Sequence, residues 1–589
     1  MGVDLQPSGQ ERQRHVHPPM NVALATPLFA LAGGFLLLFI ARLVIRIQHR
    51  LRLRTILKSN DQTKYTHRSG FMAWMNRHVF YAPLFRSRHS RELRIGCAHM
   101  GTVPLRIEIV ILTLYILINL AFFVCLVDWW EDYQEKLYQI KYAGGHLAVM
   151  NTPGLVLAAA RNNPLVPLLG ISFDAFNLFH RWVGRVIVAG AIVHMAAVVA
   201  GQYAEYGFET TTHIIWDVPF FVWGIVALFG FVLIAIQSIS PLRHAFYEVF
   251  LHVHVALAVM SFVGLWYHLR GLEQQNVLLG TIILWGLERA TRFTSIVWRN
   301  FGKQRTVADF ELLPGNVVRA TVALARTQKF RAGQHMYLYV PCVGLWTSHP
   351  FSVAWTSTED VIVDGDSNDS FDMLLDKKPQ QTVSFLIRGQ GGFTRGLQRK
   401  AANSETLHFR ATAYVEGPYG GLEDLNTYGT AMLIASGVGI NNATSYLHQF
   451  LEGFTARETA VRRVNLVWIT RSMKSIFTHP SLATKESYQP NRLAISVQVF
   501  VTGNVPGESN VGDSESLWAF SAPSGVLVSV AFGRPSFGVV IGRELETQVG
   551  AMAVSVCGNG CVTDDVRQAV REAQKGGRTI SLHDEAFCW

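Results

Sequence analysis

Charge is scarce in this sequence. Asp, Glu, Lys and Arg together make up 16% of its 589 residues, against 49% hydrophobic residues, and the mean hydropathy is positive. Soluble domains carry about a quarter charged residues, so a wholly water-soluble protein is not expected. Cysteine is scarce as well. Cys97, Cys125, Cys342, Cys557, Cys561 and Cys588 are scattered and form no framework of the kind that staples a small secreted domain. Acids are outnumbered by bases, 42 to 52, for a net charge of +10. Membrane topology accounts for that surplus better than a nucleic-acid partner, and none is expected.

What is present divides in two. The chain is too long for one core, so at least two domains are expected. Up to about Leu287 it is a series of apolar runs, and beyond that point its composition is that of a soluble protein. Seven membrane spans are read, at about 23–41, 107–127, 143–160, 182–201, 219–237, 248–268 and 272–290, most of them near the length that crosses a hydrocarbon core. The third and seventh are weakest, because Pro153 interrupts one and Glu288 and Arg289 end the other. Arg42, Arg46, Arg50, Arg52, Arg54 and Lys58 follow the first span, and bases continue to Arg94 and Arg106. Arg181, Arg185, Arg243, Arg289, Arg292, Arg299, Lys303 and Arg305 mark the same side later in the chain. Asp128, Glu131, Asp132 and Glu135 follow the second span. The positive-inside rule puts the basic segments in the cytosol and the N-terminus outside. The first span is read as an uncleaved anchor, with a cleaved signal as the alternative.

Two histidine pairs lie in this half, His180 with His194 and His254 with His268, and each pair is fourteen residues apart (194 − 180 and 268 − 254). Fourteen residues of helix rise roughly 21 Å in about four turns, so both members of a pair face one side. On the topology above, His180 and His254 are inner, and His194 and His268 are outer. Each depth then offers two imidazoles to one flat iron macrocycle, giving two stacked haems. Intramembrane histidines also serve as polar glue between helices, but matched spacing at matched depth favours ligation. His252 has no partner fourteen residues on and reads as structural. His146, His213 and His244 read as loop or interface residues.

After Arg305 the runs shorten. Val317–Ala325, Met336–Val340 and Val383–Arg388 read as strands of an antiparallel barrel. Asp360–Ser370 and Gly503–Ser516 read as exposed loops. Ala431–Ile440 reads as a buried strand running into a glycine turn and a helix. Val464–Ile469 and Val554–Cys557 follow as parallel-type strands, the latter before a helix at Asp564–Ala573, which indicates a doubly wound nucleotide domain. Gly437 and Gly439 let a pyrophosphate approach the backbone at a helix N-terminus.

These features resemble the fungal ferric reductase family, relatives of the NADPH oxidases, from about the second span to the last residue. The resemblance is carried by Asn177–Arg185 with His194, by Leu251–His254 and Leu265–His268, and by His349-Pro-Phe-Ser352, Gly389–Thr394 and Glu416–Gly420. It continues through Ala435–Ile440, Val467–Arg471, Cys557-Gly-Asn-Gly560 and the ending Glu585–Trp589. The architecture it implies is a multi-domain chain, an α-helical transmembrane bundle followed by a ferredoxin-reductase-like module. Its parts are an N-terminal span and basic segment (1–106), a haem domain (107–298), an antiparallel β-barrel FAD domain (305–420) and an α/β doubly wound NADPH domain (428–589).

By the same resemblance, His349 meets the flavin phosphate beside Pro350, Phe351 lies along the isoalloxazine, and Ser352 offers its hydroxyl to the reactive nitrogen. Gly391, Gly392 and Thr394 hold the FAD pyrophosphate, with Arg388 assisting. Gly437 and Gly439 hold the NADPH pyrophosphate, and Arg471 meets its 2′-phosphate. Cys557 and Gly558 stand beside the nicotinamide, and Phe587 or Trp589 covers the other flavin face. Ser352, Cys557 and Trp589 are the residues expected at the reaction itself. One departure is Asn559, where the family has proline, with Cys561 following. Two cysteines without a nearby histidine make poor metal ligands.

The implied activity moves electrons from cytosolic NADPH through FAD and two b-type haems to ferric chelates outside, with cupric ion as a second acceptor. The plasma membrane is the expected location. An iron permease or oxidase would suit such an enzyme as partner, and no residue points to one. No iron-ligand cluster is evident on the external segments. The family rival is a superoxide-generating NADPH oxidase, whose second histidine pair is typically one residue closer. A rival of another class is a transporter or receptor with a regulatory nucleotide domain, which would contain no haem.

Overall fold

The computed structural model describes residues 18–589 apart from 68, 86, 97, 303, 345–346, 363–376, 473–492, 504–517, 522–526 and 586–589. It divides into two units, one of residues up to 44 with 94–101 and 108–292, the other of 45–93, 102–107 and 293–589.

The helices of the first half are α1 Pro18–Ser59, α2 Arg106–Leu126, α3 Tyr133–Met150, α4 Thr152–Ala159, α5 Phe173–Asp217, α6 Pro219–Gln237, α7 Tyr247–His268 and α8 Gln274–Asn300. All seven expected spans fall on them. Five, namely α1 from Ala32, α2, α5, α6 and α7, are long and apolar enough to cross a membrane. The other two expected spans, α3 with α4 and α8, are the two read as weakest. Large apolar side chains such as Leu114, Leu117 and Leu120 on α2 and Val259 and Val263 on α7 are exposed, a surface suited to hydrocarbon rather than water.

The third span is two helices. The break falls at Asn151, and Pro153 follows in the first turn of α4, where its missing N–H costs nothing. The break is made polar and satisfied. Asn151 Nδ2 donates to Asn119 Oδ1 at 2.8 Å, and the Tyr115 hydroxyl donates to Asn151 Oδ1 at 2.8 Å. Helix α5 is longer than the expected 182–201. Ser172 caps it by accepting from the Ala175 N–H, and Gly207 interrupts it with φ 75°. Its first part, Phe173 to Tyr206, is about 50 Å long and so exceeds a hydrocarbon core of about 30 Å.

The soluble module begins with strands β1 Val307–Leu313, β2 Val317–Ala323, β3 Gln334–Tyr339, β4 Ser348–Ser352, β5 Trp355–Ile362, β6 Lys377–Arg388, β7 His408–Thr412 and β8 Tyr414–Gly420. They form two antiparallel sheets, ordered β5-β6-β2-β1-β7 and β8-β3-β4. Phe310, Val322, Met336, Leu338, Phe385 and Val415 pack one core between them. Asp360–Ile362, expected in a loop, extends β5, while residues 363–370 and 504–516 of the two expected loops lie outside the described residues.

The second domain has β9 Thr430–Ser436, β10 Arg463–Thr470, β11 Ala494–Val501, β12 Trp518–Ser521, β13 Leu527–Phe532, β14 Met552–Cys557 and β15 Ile580–Glu585, in the order β12-β13-β11-β10-β9-β14-β15. Only β12 runs antiparallel to its neighbour. Strand order reverses between β9 and β14. In open sheets of this type the crevice for a ligand lies beyond the carboxyl ends of the strands at such a switch point.

The basic segment after α1 packs on this second domain. Gln62 Nε2 donates to the Ala460 carbonyl at 2.6 Å, the Thr579 N–H to the Thr66 carbonyl at 2.7 Å, and Arg571 Nε to the Arg77 carbonyl at 2.9 Å. The buried Asp564 carboxylate, in the helix after β14, accepts the backbone N–H groups of His89, Ser90 and Arg91 at 3.0, 2.7 and 3.0 Å. Sequence reading gave this segment only a topological meaning. Asp564→Ala strands three backbone donors, of which that of Ser90 is buried. It is expected to cost about 1–3 kcal/mol, read as a lower thermal midpoint of the solubilised full-length protein. An unchanged midpoint would mean the clasp adds nothing to stability.

Candidate functional site

Four helical positions bring the histidines together in the expected pairs. The imidazole centroids of His180 and His254 are 6.1 Å apart, and those of His194 and His268 are also 6.1 Å apart. Two imidazoles on opposite sides of one metal, each bonded at about 2 Å, have ring centres about 6 Å apart. The donor set therefore fits a bis-imidazole haem at each level. His252 is exposed and donates Nδ1–H to the Glu248 carbonyl at 2.7 Å. His146 is buried at a helix interface, stacked on Tyr142.

The other ring nitrogen of three of the four is fixed by backbone. Nδ1 of His180, His194 and His268 lies 2.9, 2.7 and 2.8 Å from the carbonyls of Leu155, Lys141 and Phe220. A carbonyl can only accept, so Nδ1 carries the proton and Nε2 keeps the lone pair that binds metal. His254 Nδ1 is buried with no such partner among the described residues.

Reaching a carbonyl inside a helix needs room. Each helical carbonyl already accepts from the residue four on, whose Cβ leans back toward it. For Lys141 that residue is Gly145, and for Phe220 it is Gly224. A Cβ at Gly145 would stand 2.6 Å from His194 Nδ1, and one at Gly224 would stand 2.9 Å from His268 Nδ1. Two glycine notches therefore admit the two outer rings. For Leu155 the residue four on is Ala159, the small last residue of α4.

In the first soluble domain the expected residues converge at one end of β4. His349 stacks on Phe393 with centroids 4.7 Å apart, and Phe351 faces the same ring at 6.5 Å. Pro350 pairs with Tyr337, and Ser352, nearly buried, pairs with His335. Arg388 ends β6. Gly391 and Gly392 open α9 (Gly392–Ala402), with open space where their side chains would be, and Thr394 Oγ1 accepts from the Gln390 N–H at 3.1 Å. Free helix N-terminal amides with no side chains in the way suit a pyrophosphate.

In the second domain Gly437 follows β9 with φ +57°, its carbonyl held by Trp468 Nε1 at 3.1 Å, and Gly439 leads into α10 (Ile440–Thr455). Any side chain at Gly439 would collide with the Cys557 carbonyl. Cys557 ends β14, directly beside Ala435 of β9, and Gly558 abuts Ser436. Arg471 is exposed one residue past β10, the neighbour of β9. Cys557, Gly558 and the glycine turn thus share the switch point. Burial, with the Glu585 carboxylate second, pushes the Cys557 thiol well up, so it is a neutral thiol rather than a nucleophile. Glu585 sits opposite Cys557 in register and accepts from Asn442 Nδ2. Burial, then Asp584, raises its carboxyl to about 8. Phe587 and Trp589 lie outside the described residues.

Comparison with known proteins agrees with this layout in chain order. Residues 144–265 match the ferric reductase like transmembrane component, 303–364 an FAD-binding domain, and 428–571 the ferric reductase NAD binding domain. Two of the three matched segments carry ferric reductase descriptions, and the chain is similar to that family. Similar relatives include the probable cell surface ferric reductase kap2 of Aspergillus oryzae, 26% identical over 78% of this chain and 60% of that protein. Another is the ferric/cupric reductase transmembrane component 2 of Saccharomyces cerevisiae, 23% identical over 86% of this chain and 70% of that one. A third, from Candida albicans, is 25% identical over 87% and 67%. The chain thus spans three fifths of the length of the first of these relatives.

The three matches fall on the helical bundle, the FAD-binding domain and the nucleotide domain. The family proline replaced by Asn559 finds a local explanation. Asn559 is the N-cap of α11 (Gly560–Ala573), its side chain accepting from the Val562 N–H at 2.9 Å. Asparagine is among the best residues for that position. Sequence reading missed the glycine notches, although Gly145 and Gly224 each stand four residues after an accepting carbonyl. It also missed Glu585 and Asn442, which no local pattern marks. Gly145→Ala should push His194 off its carbonyl and lower the haem-to-protein ratio, read from reduced-minus-oxidised absorbance. Gly280→Ala, where a side chain meets nothing within 4 Å, should leave that ratio unchanged. Equal ratios in both variants would dismiss the notch.

Proposed function

We propose that this protein is a transmembrane NADPH-dependent ferric-chelate reductase of the plasma membrane. Its flavin and nucleotide domains lie in the cytosol, and external Fe(III), with Cu(II) as a second acceptor, takes the electrons. The observation that carries the reading is the pair of 6.1 Å histidine couples, which stand about 21 Å apart along α5 and α7 by helical rise. When bound, the nicotinamide supplies a hydride, the flavin divides it into single electrons, and two b-type haems carry those across the bilayer.

The chain's own residues do the rest. His180 with His254, and His194 with His268, would hold one haem iron at each level through two imidazoles, a donor set that favours electron transfer over oxygen binding at iron. Phe351, His349 and Ser352 orient the flavin ring, and the α9 amides with Thr394 hold its pyrophosphate. Gly437 admits the nucleotide pyrophosphate at the switch point. Arg471 offers a bidentate guanidinium to a 2′-phosphate, which supports NADPH over NADH. The buried thiol of Cys557 and the carboxyl of Glu585 close the nicotinamide end against water. The basic segment and the soluble module belong to one unit, and an even number of expected spans separates them in sequence. That supports a shared cytosolic face under the positive-inside rule. The relatives' names support cell-surface ferric and cupric acceptors.

His194→Ala should leave flavin reduction by NADPH intact and abolish reduction of an external ferric chelate. Wild-type ferric reduction should persist in superoxide dismutase. Full external activity in the variant, or complete loss on adding dismutase, would refute the assignment, the latter in favour of a superoxide-generating oxidase. Arg471→Ala should raise KM for NADPH on the order of tenfold, as loss of a charged hydrogen bond implies, with little change for NADH. Equal effects on both nucleotides would remove Arg471 from phosphate recognition.

A further inference from the structure

Helix α1 carries its cations in register. Arg42, Arg46, Arg50, Arg54 and Lys58 recur at every fourth residue along its later turns, and no acid lies between Pro18 and Asn60. At about 100° per residue, each four-residue step overshoots a full turn by only about 40°. The five therefore make a shallow spiral stripe. Arg52 is out of register, about 160° from both Arg50 and Arg54. It points at the nucleotide domain, where its Nε donates to the Thr427 carbonyl at 2.8 Å and its guanidinium lies 4.7 Å from the Tyr428 ring centre. One face of this helix is thus bound to protein. Arg50, Arg54 and Lys58 are exposed on the other, interleaved with exposed Ile47 and Leu57.

Cations mixed with exposed aliphatic side chains suit a surface that is both anionic and apolar. The preceding turns of the same helix are an apolar span, so the stripe emerges at headgroup level. The positive-inside rule explains why bases follow a span. It does not explain why the exposed ones keep to the face opposite Arg52. We propose that this face binds anionic phospholipid headgroups of the leaflet it leaves, and that Arg52 ties the contact to the nucleotide domain. The proposal rests on the membrane-spanning reading of α1. Attraction to a charged leaflet fades within a Debye length of about 8 Å, so Arg50 contributes more than Lys58, two turns further out.

The test uses full-length protein in phosphatidylcholine vesicles with a small fraction of dansyl-labelled phosphatidylserine or dansyl-labelled phosphatidylcholine. Energy transfer from the protein's tryptophans reports lipid at the protein boundary. Wild type should enrich labelled phosphatidylserine several-fold over labelled phosphatidylcholine, and the enrichment should fall as salt rises. Arg50→Gln/Arg54→Gln/Lys58→Gln, which leaves Arg42 and Arg46, should reduce it most. Arg54→Gln/Lys58→Gln, which leaves the bases nearest the span to set insertion, should reduce it in part, and Arg50→Lys/Arg54→Lys should keep it. No preference in wild type, or an undiminished preference in both glutamine variants, overturns the proposal. Haem absorbance is read on the same samples. Its absence would count against the electron-transfer reading, whereas lost lipid preference with haem retained bears on this surface alone.

Discussion

An imidazole that binds metal inside a bilayer must dispose of its second nitrogen without water. A buried N–H left unpaired in hydrocarbon costs several kcal/mol, and a ring free to flip presents the wrong nitrogen. This chain meets the problem with main-chain carbonyls at His180, His194 and His268. Because helical carbonyls are shielded by the residue four on, the solution dictates other features. Glycine stands at 145 and 224, and the small Ala159 stands four residues after Leu155 beside His180. The break that ends α3 and starts α4 then needs its own polar closure, provided by Asn151, Asn119 and Tyr115. One hydrogen-bond requirement thus shapes helix lengths, helix breaks and small-residue positions across the bundle.

The soluble unit follows a different rule. There the crevice is made by topology, the reversal of strand order between β9 and β14. Two close backbone approaches keep it tight, Gly439 on the Cys557 carbonyl and Gly558 on Ser436. Asp564, two turns beyond Cys557, anchors the segment that follows α1.

Much of this was legible in residue order. The fourteen-residue histidine spacing gave the right pairs because helical rise and period are fixed. Spans three and seven were read as weakest, and neither is among the helices long and apolar enough to cross: span three breaks at Asn151, just before Pro153, whereas α8 runs on through Glu288 and Arg289 to Asn300. His349–Ser352, Gly391–Thr394 and Gly437–Gly439 are local motifs and fall where local motifs lead. The extension of Asp360–Ile362 into β5 was not legible, because these residues open a run rich in Asp, Asn, Ser and Gly, and only pairing with the distant Lys377–Pro379 makes them strand. Asn559 seemed a defect against the family pattern until its capping bond was seen.

The sequence by itself determined the elements with periodicity or a motif of their own: the apolar helices, the histidine levels, the strand–glycine–helix turn. Each depends on neighbours within a few turns of chain. Tertiary structure alone decided which carbonyl each histidine uses, why glycine stands at 145 and 224, and that Glu585 faces Cys557. It also decided that the basic segment clasps Asp564 from more than 470 residues away. Those contacts join positions with no shared period or spacing, and only packing in three dimensions brings them within hydrogen-bond reach.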